Sequence, residues 1–245
     1  MEVLNVVIDD SIAISVDSLS VEYNVYVRKK LKFGKVKPIL ALDNISFDIM
    51  KGECVAILGK NGAGKSTLLD TIAGRLRPKI GSVNTEGKVY TLSGANPGLI
   101  PILSGRENVR MLAEVYGIEK EKIPDFESEV EQFCELGEAF DRPYNTLSSG
   151  MAGRIGFGFT TSLIPEILLM DETLGVGDEE FRKKAEKKAE KFMQRGETIL
   201  LSTHSLGLAK KMCKRGIVLD QGILQFDGEI EKAIKKYLSI INGEN

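Results

Sequence analysis

The chain has 245 residues, 42% hydrophobic and 28% charged, material enough for a packed core in one large domain or two small ones. Its 33 Lys and Arg stand against 35 Asp and Glu for a net charge of -2, so nucleic acid is not expected as a partner. Cys54, Cys134 and Cys213 lie far apart, show no metal-ligand spacing and are odd in number for disulfide pairing; no run approaches the roughly 20 apolar residues of a spanning helix, and residues 1–10 are acidic where a signal peptide is basic.

A reduced, cytoplasmic protein is therefore expected, one that reaches a membrane only through a partner subunit. Residues 12–23 alternate as a strand does, and the basic stretch 28–37 reads as a solvated loop, with contact to anionic headgroups or a membrane subunit as the sharper alternative. Residues 45–49 predict a second strand. After a Lys51-Gly52 turn, the apolar run 54–58 is short and bounded like a buried parallel strand. A helix is expected from Lys65, with Leu68, Leu69, Ile72 and Ala73 on one face and Gly74 ending it.

The middle of the chain, from about residue 104 to 162, reads as helical, and its first helix carries a capping box of Ser104 and Glu107. Strand signals resume at 167–170, 198–201, 217–219 and 223–226. Between the first two lies a charged helix, 179–194, whose lysine-rich face is expected in solvent. Strands alternating with helices predict a mostly parallel α/β sheet interrupted by a helical insertion.

Four segments carry chemistry. Gly59-Lys60-Asn61-Gly62-Ala63-Gly64-Lys65-Ser66-Thr67 fits the phosphate-binding loop pattern G-x-x-x-x-G-K-[ST], between a buried strand and a helix as the pattern requires. Its glycines let amides turn inward around phosphate oxygens, Lys65 supplies a charge to the β- and γ-phosphates, and Ser66 offers a hydroxyl to Mg²⁺. The strand 167–170 ends in Asp171 and Glu172; buried adjacent carboxylates call for a cation, with Asp171 suited to the metal shell and Glu172 to a general base. Leu147-Ser148-Ser149-Gly150-Met151 opens a helix and by itself reads as an ordinary N-cap. His204, the only histidine, follows an apolar strand, where it is placed either to meet a γ-phosphate or to serve the core.

Taken together and in this order, the loop, the 147–151 segment, the paired acids and His204 resemble the nucleotide-binding domain of ABC transporters, from Tyr23 to about Gly228. The resemblance implies a single domain over 1–245: a P-loop NTPase core with a mostly parallel sheet, an antiparallel β subdomain, and a helical signature subdomain inserted at about 98–162. It implies ATP and Mg²⁺ as cofactors, and two copies packed head to tail. Each ATP would then lie between Lys65 of one copy and Ser148, Ser149 and Gly150 of the other. Asp178 would sit in the loop crossing that interface, and Tyr23, or else Tyr26 or Phe33, would stack on adenine.

The match departs from the family pattern at Ser149 and Met151, where a glycine and a glutamine are usual, and in residues 91–102, which lack the family's loop glutamine. Those departures, with the segments 103–109 and 175–181, look like exporters of lipid-linked cell-surface polysaccharide such as O-antigen, capsule or teichoic acid. The resemblance thus implies an ATPase on the cytoplasmic face of the membrane, bound to a polytopic permease. An ATPase for another transported substrate is the alternative, and no added C-terminal carbohydrate-binding domain is expected in this chain.

Overall fold

A computed structural model describes residues 11–243, apart from 30–31, 94–97, 164, 172–180, 182, 185–186, 189–190 and 192–194. Two sheets organise it. One is antiparallel, in the order β2-β1-β4, built from β1 (Ile12–Lys29), β2 (Lys32–Met50) and β4 (Ile80–Thr85). The other has the order β5-β6-β7-β3-β8-β9, from β3 (Cys54–Leu58), β5 (Val89–Ser93), β6 (Ile167–Asp171), β7 (Thr198–Ser202), β8 (Arg215–Asp220) and β9 (Ile223–Glu229). Every pairing in it is parallel except that of β8 with β9.

The interiors of the central strands β3, β6 and β7 are apolar because both faces of the sheet are covered. In β3, Val55 and Ile57 pack with Leu68, Leu69 and Ile72 of α1 (Lys65–Ile72) and with the antiparallel sheet. Ala56 and Leu58 point the other way, into a cluster with Met212 of α5 (Leu206–Met212) and Ala233 and Tyr237 of α6 (Ile230–Asn242). The period of two along a strand thus divides one five-residue run between two cores.

The helical middle has a core of its own, formed by α2 (Gly105–Val115), α3 (Ile123–Cys134) and α4 (Ser149–Ser162) around Val109, Val130, Phe140, Ile155 and Phe159. The expected capping box opens α2: the Glu107 amide donates to Ser104 Oγ at 3.1 Å, and the Ser104 amide to Glu107 Oε2 at 2.7 Å. Arg106, one residue earlier than Glu107, gathers Glu127, Glu131 and Asp141 at 2.6–2.8 Å. Hydrogen bonds to these carboxylates raise the guanidinium pKa further, while Arg106 holds the Asp141 carboxyl below its usual range. The network ties α2 to α3 and to the turn after it.

Two expectations change, and one contact is new. The basic stretch 28–37, read as a loop, is the end of a long hairpin in which Val25 pairs with Lys37, Tyr26 with Val36 and Val27 with Lys35; alternating valines outweigh the lysines beside them. The helix expected over 179–194 falls largely outside the described residues, but its lysines do not all face solvent. Lys183, Lys187 and Lys191 are exposed, whereas Lys184 and Lys188 lie over the Phe133 ring and pair with Glu135 and Glu129 at 2.6 and 2.9 Å. Cys54 and Cys213, separated by 159 positions, bring their sulfurs to 3.1 Å.

Glu197, just before β7, is buried, and its Oε2 finds no hydrogen-bond partner among the described residues. Burial pushes its carboxyl up to about 7, with Arg195 pulling the other way. Because the folded pKa lies above the unfolded one, the group favours the fold at low pH. That contribution is lost as pH rises from the ordinary carboxylate range through about 7. Glu197→Gln is therefore expected to raise the melting temperature at pH 8 and to change it little at pH 5; equal shifts at both would refute the assignment.

Candidate functional site

Three neighbouring parallel strands end on one edge of the central sheet. In register, Asp171 of β6 lies opposite Ser202 of β7, and Ser202 opposite Ile57 of β3. The last residue of β6, Asp171, and the segments that begin at Gly59 and Thr203 carry residues singled out in the sequence. Ligands of open α/β sheets bind at the carboxyl ends of their strands.

The loop after β3 is shaped by close approach. A Cβ on Gly59 would lie 2.6 Å from the Leu219 carbonyl, and one on Gly64 would meet Leu42 Cδ2 at 2.7 Å and the Ala41 carbonyl at 2.9 Å. Gly64 also has φ +105, in the left-handed region. The loop is braced from outside: the Gly222 amide donates to the Ala63 carbonyl at 3.0 Å, and the Asp43 amide to Gly222 O at 2.8 Å. Inside it, Lys65 is only 5% exposed, and its ammonium donates to the Gly59 and Lys60 carbonyls at 2.8 and 3.3 Å.

A cavity of about 420 Å³ opens here, lined by Asn61, Gly62, Gly64, Lys65, Ser66 and Thr67. Ala41 of β2 and Asp171 of β6 complete its wall. Tyr23, on β1, reaches the same place: its hydroxyl lies 3.2 Å from Thr67 Oγ1, at the start of α1. Of the three aromatic candidates Tyr23 touches a residue of the cavity wall, Thr67; the side chains of Tyr26 and Phe33 lie outside the described residues. Glu172 and Asp178 also lie outside them.

The other candidates stand apart from that cavity. Ser148 caps α4, its Oγ accepting from the Met151 amide at 3.3 Å, and Ser148 and Ser149 are exposed while Gly150 is half-buried. None of the three lines the cavity, and neither does His204, which is exposed between β7 and α5. Two contributors escaped the sequence reading. Ala41 is an alanine in a strand and carries no signal. Asn108, fully buried, donates to the Ile100, Leu103 and Ser104 carbonyls and accepts from the Ile100 amide at 2.6 Å, fastening the loop before α2. An amide side chain on the apolar face of α2 was its available signal.

The family model described as ABC transporter matches residues 42–175. The chain belongs to the ABC transporter family. Relatives include the O-antigen export system ATP-binding protein RfbE of Yersinia enterocolitica, 42% identical over 78% of this chain and 80% of that one. RfbB of Klebsiella pneumoniae, with the same description, is 37% identical over 86% of this chain and 85% of its own length. The teichoic acids export ATP-binding protein TagH of Lactococcus lactis is 40% identical over 82% of this chain, which spans only 43% of TagH. Among solved structures, the ATP-binding cassette MJ0796, in a dimeric post-hydrolysis state bound to ADP and Pi, superposes with a TM-score of 0.75 at 23% identity, covering 89% of this chain and 98% of the other. That likeness bears on the fold: a P-loop NTPase core with an antiparallel β subdomain, as found here.

Gly64→Ala tests the cradle. An alanine at φ +105 that also meets Leu42 and the Ala41 carbonyl should cost more than about 1 kcal/mol and displace the loop. Fluorescent-nucleotide titration should show weakened binding; unchanged affinity with unchanged melting would contradict the geometry.

Proposed function

We propose that this chain is the ATP-binding and ATP-hydrolysing subunit of an exporter of lipid-linked cell-surface polysaccharide. In this reading it works as a head-to-tail pair beneath a polytopic permease, on the cytoplasmic face of the membrane. The observation that carries the ATPase is the cavity in which the loop glycines, Lys65, Ser66 and Asp171 converge. The names of relatives such as RfbB, RfbE and TagH favour polysaccharide as the cargo. Among the described residues no helix is long and apolar enough to cross a membrane.

The donor set fits nucleotide and metal. Backbone amides at the start of α1 and the Lys65 ammonium suit a triphosphate, and a hydroxyl and a carboxylate lining one cavity suit a hard cation. Mg²⁺ would be held by Ser66 and Asp171, and when bound it neutralises charge between the β- and γ-phosphates. Lys65 would leave the Gly59 and Lys60 carbonyls for phosphate oxygens, a short move for a flexible ammonium. Gly59, Asn61, Gly62, Ala63, Gly64 and Thr67 form the rest of the cradle, and Tyr23 takes the adenine from its position above Thr67.

Glu172, next in chain after Asp171, is the proposed general base, removing the proton of the attacking water. His204 would donate to the γ-phosphate from the end of the neighbouring strand. Exposed Ser148 and Ser149, with Gly150, sit at the amino end of α4, a 14-residue helix, and are proposed to grip the nucleotide of the second copy, with Asp178 at the same interface. Ile100 and Ile102, 37% and 76% exposed on the loop fastened by Asn108, are proposed to meet the permease.

Mixing two variants tests the shared site. Lys65→Ala and Ser148→Ala each damage both sites of their own pair, whereas a mixed pair has one site with both lesions and one with neither. Each variant alone should be nearly inactive, and mixing should restore part of the ATPase activity. No recovery on mixing, together with a specific rate independent of protein concentration, would point to a self-contained monomer.

A further inference from the structure

We propose that Cys54 and Cys213 form a reversible disulfide clasp between the strand feeding the phosphate-binding loop and the helix behind His204, and that closing it slows turnover. Cys54 opens β3 and is half-buried; Cys213 is the C-cap of α5 and is 3% exposed. Their sulfurs lie 3.1 Å apart, so bond formation needs an approach of about 1 Å. Cys134, the third thiol, is buried elsewhere and donates to the Arg154 carbonyl at 3.2 Å.

The pair is suited to a switch rather than to a permanent bridge. Both thiols are free here, and a protein in a reducing compartment keeps them so until an oxidant arrives. The Cys54 sulfur and burial raise the Cys213 thiol pKa, and Cys54, half-exposed where Cys213 is buried, is the sulfur that an oxidant in solvent can reach first. With a peroxide, the Cys54 sulfur attacks one oxygen of the O–O bond, becoming a sulfenic acid and releasing water. The Cys213 sulfur then attacks the sulfenic sulfur; its proton and the hydroxyl leave as a second water, and the S–S bond forms. Two thiols are oxidised and one peroxide is reduced to two waters.

The position of the clasp connects it to catalysis. The far end of β3 leads into Gly59, and the end of α5 away from Cys213 follows His204 by two residues, so the bond ties together two elements that each deliver a group to the sheet edge. The phosphate-binding loop itself is untouched. Nucleotide affinity should therefore hold while the segment carrying His204 loses freedom, and the effect should fall on kcat.

The test treats purified full-length protein with hydrogen peroxide and follows thiols, mass and ATPase activity. Of the three thiols one should remain titratable, the mass should fall by two hydrogens, and a digest should contain a peptide joining Cys54 to Cys213. The kcat should drop severalfold with nucleotide affinity retained, and dithiothreitol should reverse both changes. Cys54→Ser and Cys213→Ala should each be insensitive, and having both keeps the test decisive if one folds poorly. Three thiols that remain free, a bond to Cys134, or a bond between Cys54 and Cys213 with unchanged kcat would each overturn the proposal.

Discussion

The Lys65 ammonium, buried at the base of a glycine-rich loop and held by the carbonyls of Gly59 and Lys60, sets the conditions that much of the structure meets. A buried cation is tolerated only where fixed dipoles or an anion compensate it. The loop must therefore curl tightly around it, which demands glycine where Leu219, Leu42 and Ala41 press in. It must also be held from outside, and the hydrogen bonds from Gly222 to Ala63 and from Asp43 to Gly222 do so by joining the β8–β9 turn and β2 to the loop. The two sheets are thus coupled through the phosphate-binding loop as well as through their shared core.

The rest of the molecule divides into parts that hold and parts that present. The buried strands bring Asp171 and the segment leading to His204 to the same edge as the loop. The helical subdomain is closed by the Arg106 network and by Asn108, and it leaves the amino end of α4 exposed. An exposed helix start carrying Ser148 and Ser149 contributes nothing to its own chain's cavity, an economy that makes sense if it serves a second copy.

Much of this was legible in the residues, and the exceptions have physical causes. Strand β3 was readable because five apolar residues sit between a turn and a glycine loop, and the α2 cap because Ser104 and Glu107 have the reciprocal spacing. Strands β4 and β5 were not recognised: β4 is exposed along nearly its whole length and has no apolar alternation to detect. The basic hairpin hid behind its lysines, although Val25 and Val27 are spaced as in a strand. The contact of Cys54 with Cys213 is a tertiary event spanning 159 positions, and no local pattern encodes it. Motif residues of the site could be named from order and spacing; what no spacing revealed was that Tyr23, on a different sheet, stands over Thr67.

The claim on which the account rests is that Lys65 and its loop hold the phosphates of ATP. Calorimetric titration of MgATP into wild-type protein and into Lys65→Ala measures this directly. The account predicts one nucleotide per chain for the wild type, an affinity that falls when Mg²⁺ is chelated, and a loss of about tenfold or more in the variant, the scale expected for removing a charge-assisted hydrogen bond. Equal affinity of the two proteins for MgATP would contradict it.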